Sequence, residues 1–261
     1  AEVLLLEPLD GARTAWEALV RPAKRLRSGE VLLSPGGSPV VEIGERTDSG
    51  DTFLVRLVGT DDSLEILHDH GEMPLPPYIT ERLADPDRYQ TVYAREPGSA
   101  AAPTAGLHFT DVLLRRLAAR GVEVARVELV VGLDTFRPIT EDDPLQHRMH
   151  TERYVVPAET MERCRSADRV VAVGTTSVRA LESAAATGDL AGRTDIFIHR
   201  GFDWQVVDLM LTNFHLPRTT LLMMIDAFVG ERWKRLYDEA LAGEYRFLSF
   251  GDAMLLDRHA T

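Results

Sequence analysis

Over the first seventy-odd residues the chain runs in short apolar or alternating stretches: Val3–Leu6, Trp16–Arg21, Glu30–Leu33, Val40–Arg46 and Thr52–Val58. Gly11, Gly29, Gly36–Gly37 and Ser49-Gly50-Asp51 punctuate them. Short alternating runs between turn residues predict half-buried strands, and a series of them predicts a small β-barrel, or a sandwich, over residues 1–72. Met73-Pro74-Leu75-Pro76-Pro77-Tyr78-Ile79 follows. Proline fixes φ and keeps each preceding residue out of the helical region, so this is a stiff linker and the expected domain boundary.

Beyond it the pattern changes. Thr110–Arg120 carries leucines at 113, 114 and 117 and stops at Gly121, which predicts an amphipathic helix. Further helices are expected at Pro157–Ser166, Ser177–Ala186, Thr219–Phe228 and Glu231–Ala242. Between them, Val122–Val131, Val170–Val173, Asp195–Ile198 and Gln205–Leu209 read as strands. Such alternation predicts that residues 73–261 form an α/β domain with a mainly parallel central sheet.

Composition sharpens this picture. The chain has 261 residues, of which 44% are hydrophobic and 27% charged, as expected of a globular protein rather than a disordered or collagen-like one. The single Cys164 excludes an intrachain disulfide, consistent with a reducing compartment. No apolar run approaches the roughly 18 residues of a membrane span. Ala1–Leu6 lacks a basic leader and reads as a strand, so a cytoplasmic protein without a membrane partner is expected. Lacking an initiator Met, the chain reads as processed or as a fragment. The net charge of −12 excludes binding nucleic acid by bulk attraction, so any such contact needs a local basic patch. Residues 1–72 hold 7 basic and 14 acidic side chains, and against them Arg21-Pro22-Ala23-Lys24-Arg25-Leu26-Arg27 stands out. The run reads either as a solvated loop or as a phosphate contact. Apart from Lys24 and Lys234 every basic residue is arginine, a bias that GC-rich codons alone explain.

Five stretches have the makings of chemistry. Val170–Val173, Gly174, Thr175-Thr176-Ser177 and Arg179 spell strand, glycine turn and helix start. Helix N-termini offer free N–H groups to carboxylates or phosphates, although a hydroxyl there can equally cap the helix. The small-residue loop Gly98–Gly106 can lie flat on a planar ligand, and His108 behind it is a candidate acid or base. In Thr212-Asn213-Phe214-His215-Leu216-Pro217, Phe214 is a candidate stacking ring. His147, His150 and Glu152 have a spacing unlike the helical zinc-hydrolase pair, so no metal is expected. Asp252, after Gly251, is a positioned carboxylate or a turn residue.

Together these segments resemble one family, the S-adenosylmethionine:tRNA ribosyltransferase-isomerases of the queuosine pathway. The matching motifs are PLPPYI (74–79), YQTVYAREPGSAAAPTAGLHFT (89–110), GLDTFRPI (132–139), HRMHTERY (147–154), VAVGTTSVRALE (171–182), TNFHLPRTTLLMMIDAFVG (212–230) and YRFLSFGDAM (245–254). Residues 1–72 match more loosely, through LLLE and W-x-x-L-V-R-P-A-K-R-L-R-x-G. The resemblance implies an α/β domain with an inserted β-barrel and a segment upstream of Ala1 that this sequence lacks. It implies that S-adenosylmethionine, as co-substrate, donates its ribosyl group to 7-aminomethyl-7-deazaguanine at the tRNA wobble position. Epoxyqueuosine, adenine and methionine result. The family's H-V-G-x-G-T-F here has Val130 and Asp134, its P-G-Y begins with Arg200, and its S-Y-G-D tyrosine is Phe250.

That chemistry suggests roles. A sulfonium acidifies the neighbouring 5′-carbon, so the site needs a base, a proton donor for departing adenine and little water. His108, His215 and Asp252 are assigned to acid–base catalysis. Gly174, Thr175, Thr176, Ser177, Arg179, Thr212 and Asn213 are assigned to S-adenosylmethionine. Tyr93, Gly98, Thr104, Gly106, Phe136, His150, Glu152 and Phe214 are assigned to substrate binding, with Tyr93 or Phe214 and the small-residue loop sandwiching adenine or the deazaguanine. Arg21, Lys24, Arg25 and Arg27 are assigned to tRNA. A monomer is expected. Two other readings stay open: a paralogue acting on a small molecule, and a non-catalytic nucleoside- or RNA-binding module.

Overall fold

A computed structural model describes residues 1–48, 50–59, 63–76, 78–81, 83–95, 99, 101–130, 143–147, 149 and 151–260. The chain divides into two compact units, Ala1–Arg82 with Glu96–Ala101, and Leu83–Arg95 with Ala102–Thr261.

In the first unit lie β1 (Glu2–Pro8), β2 (Ala15–Arg21), β3 (Val31–Leu33), β4 (Pro39–Arg46), β5 (Phe53–Leu57) and α1 (Ser63–His70). The strands form one antiparallel sheet in the order β1-β2-β5-β4-β3. Strict alternation on β2 and β5 turns Trp16, Ala18, Val20, Phe53, Val55 and Leu57 to one buried face. Val41, Ile43 and Ile66 of α1 complete that core. Among the described residues no ladder joins the edge strands β1 and β3 of this sheet. The three-residue β3 pairs with β4 alone. The helix α1 is also absent from the sequence reading, in which residues 1–72 are all β.

The second unit holds α2 (Asp111–Ala118), β6 (Glu128–Val130), β7 (Glu152–Val155), α3 (Ala158–Ser166), β8 (Val171–Val173), α4 (Thr175–Thr187), β9 (Ala191–Thr194), β10 (Leu209–Asn213), α5 (Thr220–Val229), α6 (Arg232–Ala242) and β11 (Ala253–Asp257). Thr110 and Thr219 accept hydrogen bonds from Leu113 N and Leu222 N and so cap α2 and α5. Gly188, left-handed at φ 79°, ends α4.

Among the described residues the expected mainly parallel central sheet is not formed. They make two three-stranded sheets, β6-β7-β9, which is antiparallel throughout, and β11-β10-β8, in which only β8 and β10 run parallel. The connections explain the difference. A single crossover helix returns the chain to start a parallel strand. Between β10 and β11 there are two packed helices, α5 and α6, and a second reversal brings β11 back antiparallel. Burial agrees: the row Ala172, Met210 and Leu256 is buried, whereas Val171 is 48% exposed and Leu255 60% exposed. Two expected strands are displaced, with β9 ending before Asp195 and β10 starting at Leu209. The core gathers Val178 and Ala180 of α4, Met210, Ile225 of α5, Tyr154, Ile198 and Val207.

Candidate active site

The site-bearing segments of the second unit converge at the ends of β8 and β10. The turn from β8 into α4 is made by Gly174 at φ 89° and ψ 148°, a conformation open essentially to glycine alone. Gly174 N–H donates to Leu211 O at 2.8 Å, tying the turn to β10. No side chain caps α4; the Ser177 hydroxyl donates back to Val173 O at 2.8 Å instead. The capping alternative for Thr175, Thr176 and Ser177 is therefore not realised, and the positive end of α4 is open. A Cβ on Gly174 would lie 3.6 Å from the Ala105 Cβ, so the short 3-10 turn Thr104–His108 sits against it.

That turn delivers His108 to β10. The Thr104 hydroxyl donates to Asn213 Oδ1 at 3.1 Å, and Asn213 Nδ2 donates to His108 Nε2 at 3.1 Å. Asn213 is 2% exposed while His108 is exposed. Two residues on, the His215 Nε2 lies 2.9 Å from the Thr212 hydroxyl, and its backbone N–H donates to the Tyr237 hydroxyl at 2.9 Å. Burial pulls the His215 pKa down to about 4, so its ring is neutral at pH 7. Burial also pushes the Tyr237 phenol up to about 12, against the lowering effect of the His215 N–H.

Arg179, on α4, is 3% exposed, and its Nη1 pairs with Glu152 at the start of β7. Burial lowers the guanidinium pKa, opposed by the charges of Glu152 and Asp195. Its Nε and Nη2 are buried and meet no partner among the described residues. Two residues assigned separately, one to each ligand, are thus a pair.

Other assignments fall differently. Phe214 is 4% exposed, with ring centroids 5.4 Å from Tyr237, 5.9 Å from Tyr245 and 5.0 Å from Phe247. Its faces are taken up by the core, which corrects its role as a stacking ring. Gly106 is small for a local reason: a Cβ there would collide with the Tyr93 hydroxyl and the Thr91 methyl. The Tyr93 phenol is raised by burial, with Arg126 opposing. The Asp252 carboxylate accepts from Arg246 N–H at 2.7 Å and closes its own loop, and among the described residues it bonds neither histidine. Gly98, Phe136 and His150 lie outside the described residues, as do Asp134, Arg137 and Arg148. Among the described residues no three His, Cys, Asp or Glu side chains gather to hold a metal ion. Arg21, Lys24, Arg25 and Arg27 are all exposed on the first unit. Of the departures from the family pattern, Val130 ends β6 and Phe250 packs edge-on to Tyr89 at 5.8 Å. Arg200 donates twice to Asp226, at 3.0 and 2.7 Å. Burial raises the Asp226 pKa, but the bonds from Arg200 and Trp233 outweigh it and hold the carboxyl low.

Sequence reasoning missed Glu182. It is fully buried on α4 and accepts from Gln205, Val206 and Val207 N–H at 2.9, 3.1 and 2.9 Å. Its place within the apolar run of α4 was the available signal, because a carboxylate there must find donors.

An antiparallel β unit, and a mixed α and β unit whose strand ends gather an open helix terminus, two histidines and a buried amide, define the class of protein. The chain belongs to the queuosine biosynthesis protein family, whose model matches residues 1–256. The S-adenosylmethionine:tRNA ribosyltransferase-isomerase of Symbiobacterium thermophilum is 51% identical over 265 residues, covering 98% of this chain and 76% of that protein. That of an Azoarcus species is 50% identical over 268 residues, covering 99% and 76%. The crystal structure of S-adenosylmethionine tRNA ribosyltransferase from Thermotoga maritima matches at 32% identity and a TM-score of 0.49, covering 97% of this chain and 73% of that one.

Proposed function

We propose that this chain is an S-adenosylmethionine:tRNA ribosyltransferase-isomerase, moving the ribosyl group of S-adenosylmethionine to 7-aminomethyl-7-deazaguanine in the tRNA wobble position. Epoxyqueuosine is formed and adenine and methionine are released. Identity near 50% to enzymes of that name along almost the whole chain carries this reading. The division of labour follows the domain expectation: residues 1–72 meet tRNA through Arg21, Lys24, Arg25 and Arg27, and residues 73–261 hold the chemistry in the cytoplasm.

Within the second unit, the open N-terminus of α4 at Gly174–Ser177 and the Nε–Nη2 edge of Arg179 receive the methionine carboxylate. That edge is the one a guanidinium uses for bidentate carboxylate contacts. Glu152 holds the guanidinium from its other side. His108 and His215 form the acid–base pair. Neutral at pH 7, His215 has a ring nitrogen free to accept the 5′-proton made acidic by the sulfonium, although its low pKa makes it a weak base. His108, exposed on the turn whose Ala105 sits against Gly174, suits the departing adenine.

The test is release of labelled adenine from S-adenosylmethionine by the full chain with tRNA carrying the aminomethyl base. Release that requires this tRNA is expected. His108→Ala and His215→Ala should each slow it by roughly 10²–10⁴-fold while the chain stays folded. Release with the free base alone would mean a small-molecule acceptor, and binding without release would mean a non-catalytic module.

A further inference from the structure

The acid–base reading of His108 leaves open which ring nitrogen meets the ligand, and the hydrogen bonds around it decide this. The Asn213 amide lies with its Oδ1 3.1 Å from the Thr104 hydroxyl and its NH2 3.1 Å from His108 Nε2. An NH2 group only donates, so the His108 Nε2 that it reaches must accept, and in the neutral ring Nδ1 then carries the proton. The amide is 2% exposed, on a strand whose Asn213 is paired with Ala253 of β11. Thr104 and His108 belong to one short turn, so Asn213 bridges two points of a single rigid piece.

We propose that Asn213 is a positioning residue that fixes His108 as its Nδ1–H tautomer, so that His108 meets its ligand as a hydrogen-bond donor through Nδ1. This takes Asn213 out of direct ligand contact. It rests on the reading of His108 as a catalytic group. It also separates the two histidines by role: His108 presents N–H, and His215 presents a neutral ring.

The full chain labelled with ¹⁵N-histidine, free of ligand at pH 8, gives the tautomer from two-bond ¹H–¹⁵N correlations. The His108 signals are those missing from His108→Gln. Nε2 is expected to be unprotonated and Nδ1 protonated. In Asn213→Ala the amide donor is gone, and the signals should move toward the tautomer mixture of free imidazole. In Asn213→Asp the partner can only accept, so Nε2 should become protonated. The Asn213→Ala variant should lose roughly tenfold in kcat for tRNA-dependent adenine release with KM for S-adenosylmethionine unchanged, a fraction of what a positioned acid–base group supplies. A wild-type spectrum with Nε2 protonated overturns the proposal, as does an unaltered tautomer in Asn213→Ala. The wild-type spectrum decides even where Asn213→Asp fails to fold. Undiminished adenine release by His108→Ala would instead sink the catalytic reading, with the tautomer result still standing.

Discussion

His215 shows how a residue's surroundings decide what it can do. Its imidazole falls to a pKa of about 4 because burial disfavours the charged ring. In the unfolded chain the same ring titrates near 6.5. Above that pH both states are neutral and the folded state keeps its full stability. Between 6.5 and 4 the unfolded state takes up the proton first, so stability falls as pH falls, and below 4 this residue causes no further loss. The loss across the window is about 3 kcal/mol. Urea midpoints at pH 7.5 and pH 4.5 should therefore differ more in the wild type than in His215→Gln. Equal losses in both would mean that His215 titrates normally in the folded chain. At this scale the sequence was legible in its residue types and illegible in its pairings. Thr104, His108, Asn213 and His215 were all singled out, but the bond between His108 and Asn213 spans 105 positions of chain. Arg179 with Glu152, and Gly106 with Tyr93, are likewise set by folding, and no local pattern announces them. An aromatic residue between two polar ones looks exposed, whereas Thr212, Asn213 and Phe214 are all buried at the end of β10.

At the scale of elements, helices were easier to read than strands. α2, α5 and α6 begin and end within a residue or two of their sequence expectations, since caps and breakers sit at their ends. β7 and β11 are four and five residues long and carry charged or exposed side chains, too little pattern to announce a strand. Strand direction was the larger loss, because alternation of helix and strand is silent on how many helices lie between paired strands. What ties α4 to the chain ahead of β10 is Glu182, whose carboxylate satisfies the N–H groups of Gln205, Val206 and Val207. Removing it leaves those donors beside a cavity, two of the three bonds being only part-buried. Glu182→Ala should cost about 3–5 kcal/mol in urea unfolding. Glu182→Gln should recover only part of this, because one carboxylate oxygen becomes an NH2 facing donors. A loss below about 1 kcal/mol in Glu182→Ala would mean that water replaces the carboxylate without penalty.

For the molecule as a whole, the charge of −12 and a polyanionic substrate are in tension. tRNA must approach against net repulsion, so its contacts have to be local and screened by salt. The run Arg21–Arg27 answers this requirement: its four cations are exposed, and none is held in an ion pair among the described residues. A cation already paired with a carboxylate has little to offer a phosphate, and one left in solvent offers its full charge. Replacing Arg21, Lys24, Arg25 and Arg27 together by glutamate should therefore raise KM for tRNA steeply at low salt and leave KM for S-adenosylmethionine unchanged. The dependence of log KM for tRNA on log salt should flatten by roughly one for each phosphate that the variant no longer neutralises. Because the substituted side chains are solvent-exposed, the variant should unfold at nearly the wild-type urea concentration. A tRNA KM and salt slope equal to those of the wild type would assign the run to solvent, and the phosphates would then be met by the arginines of the second unit, such as Arg218.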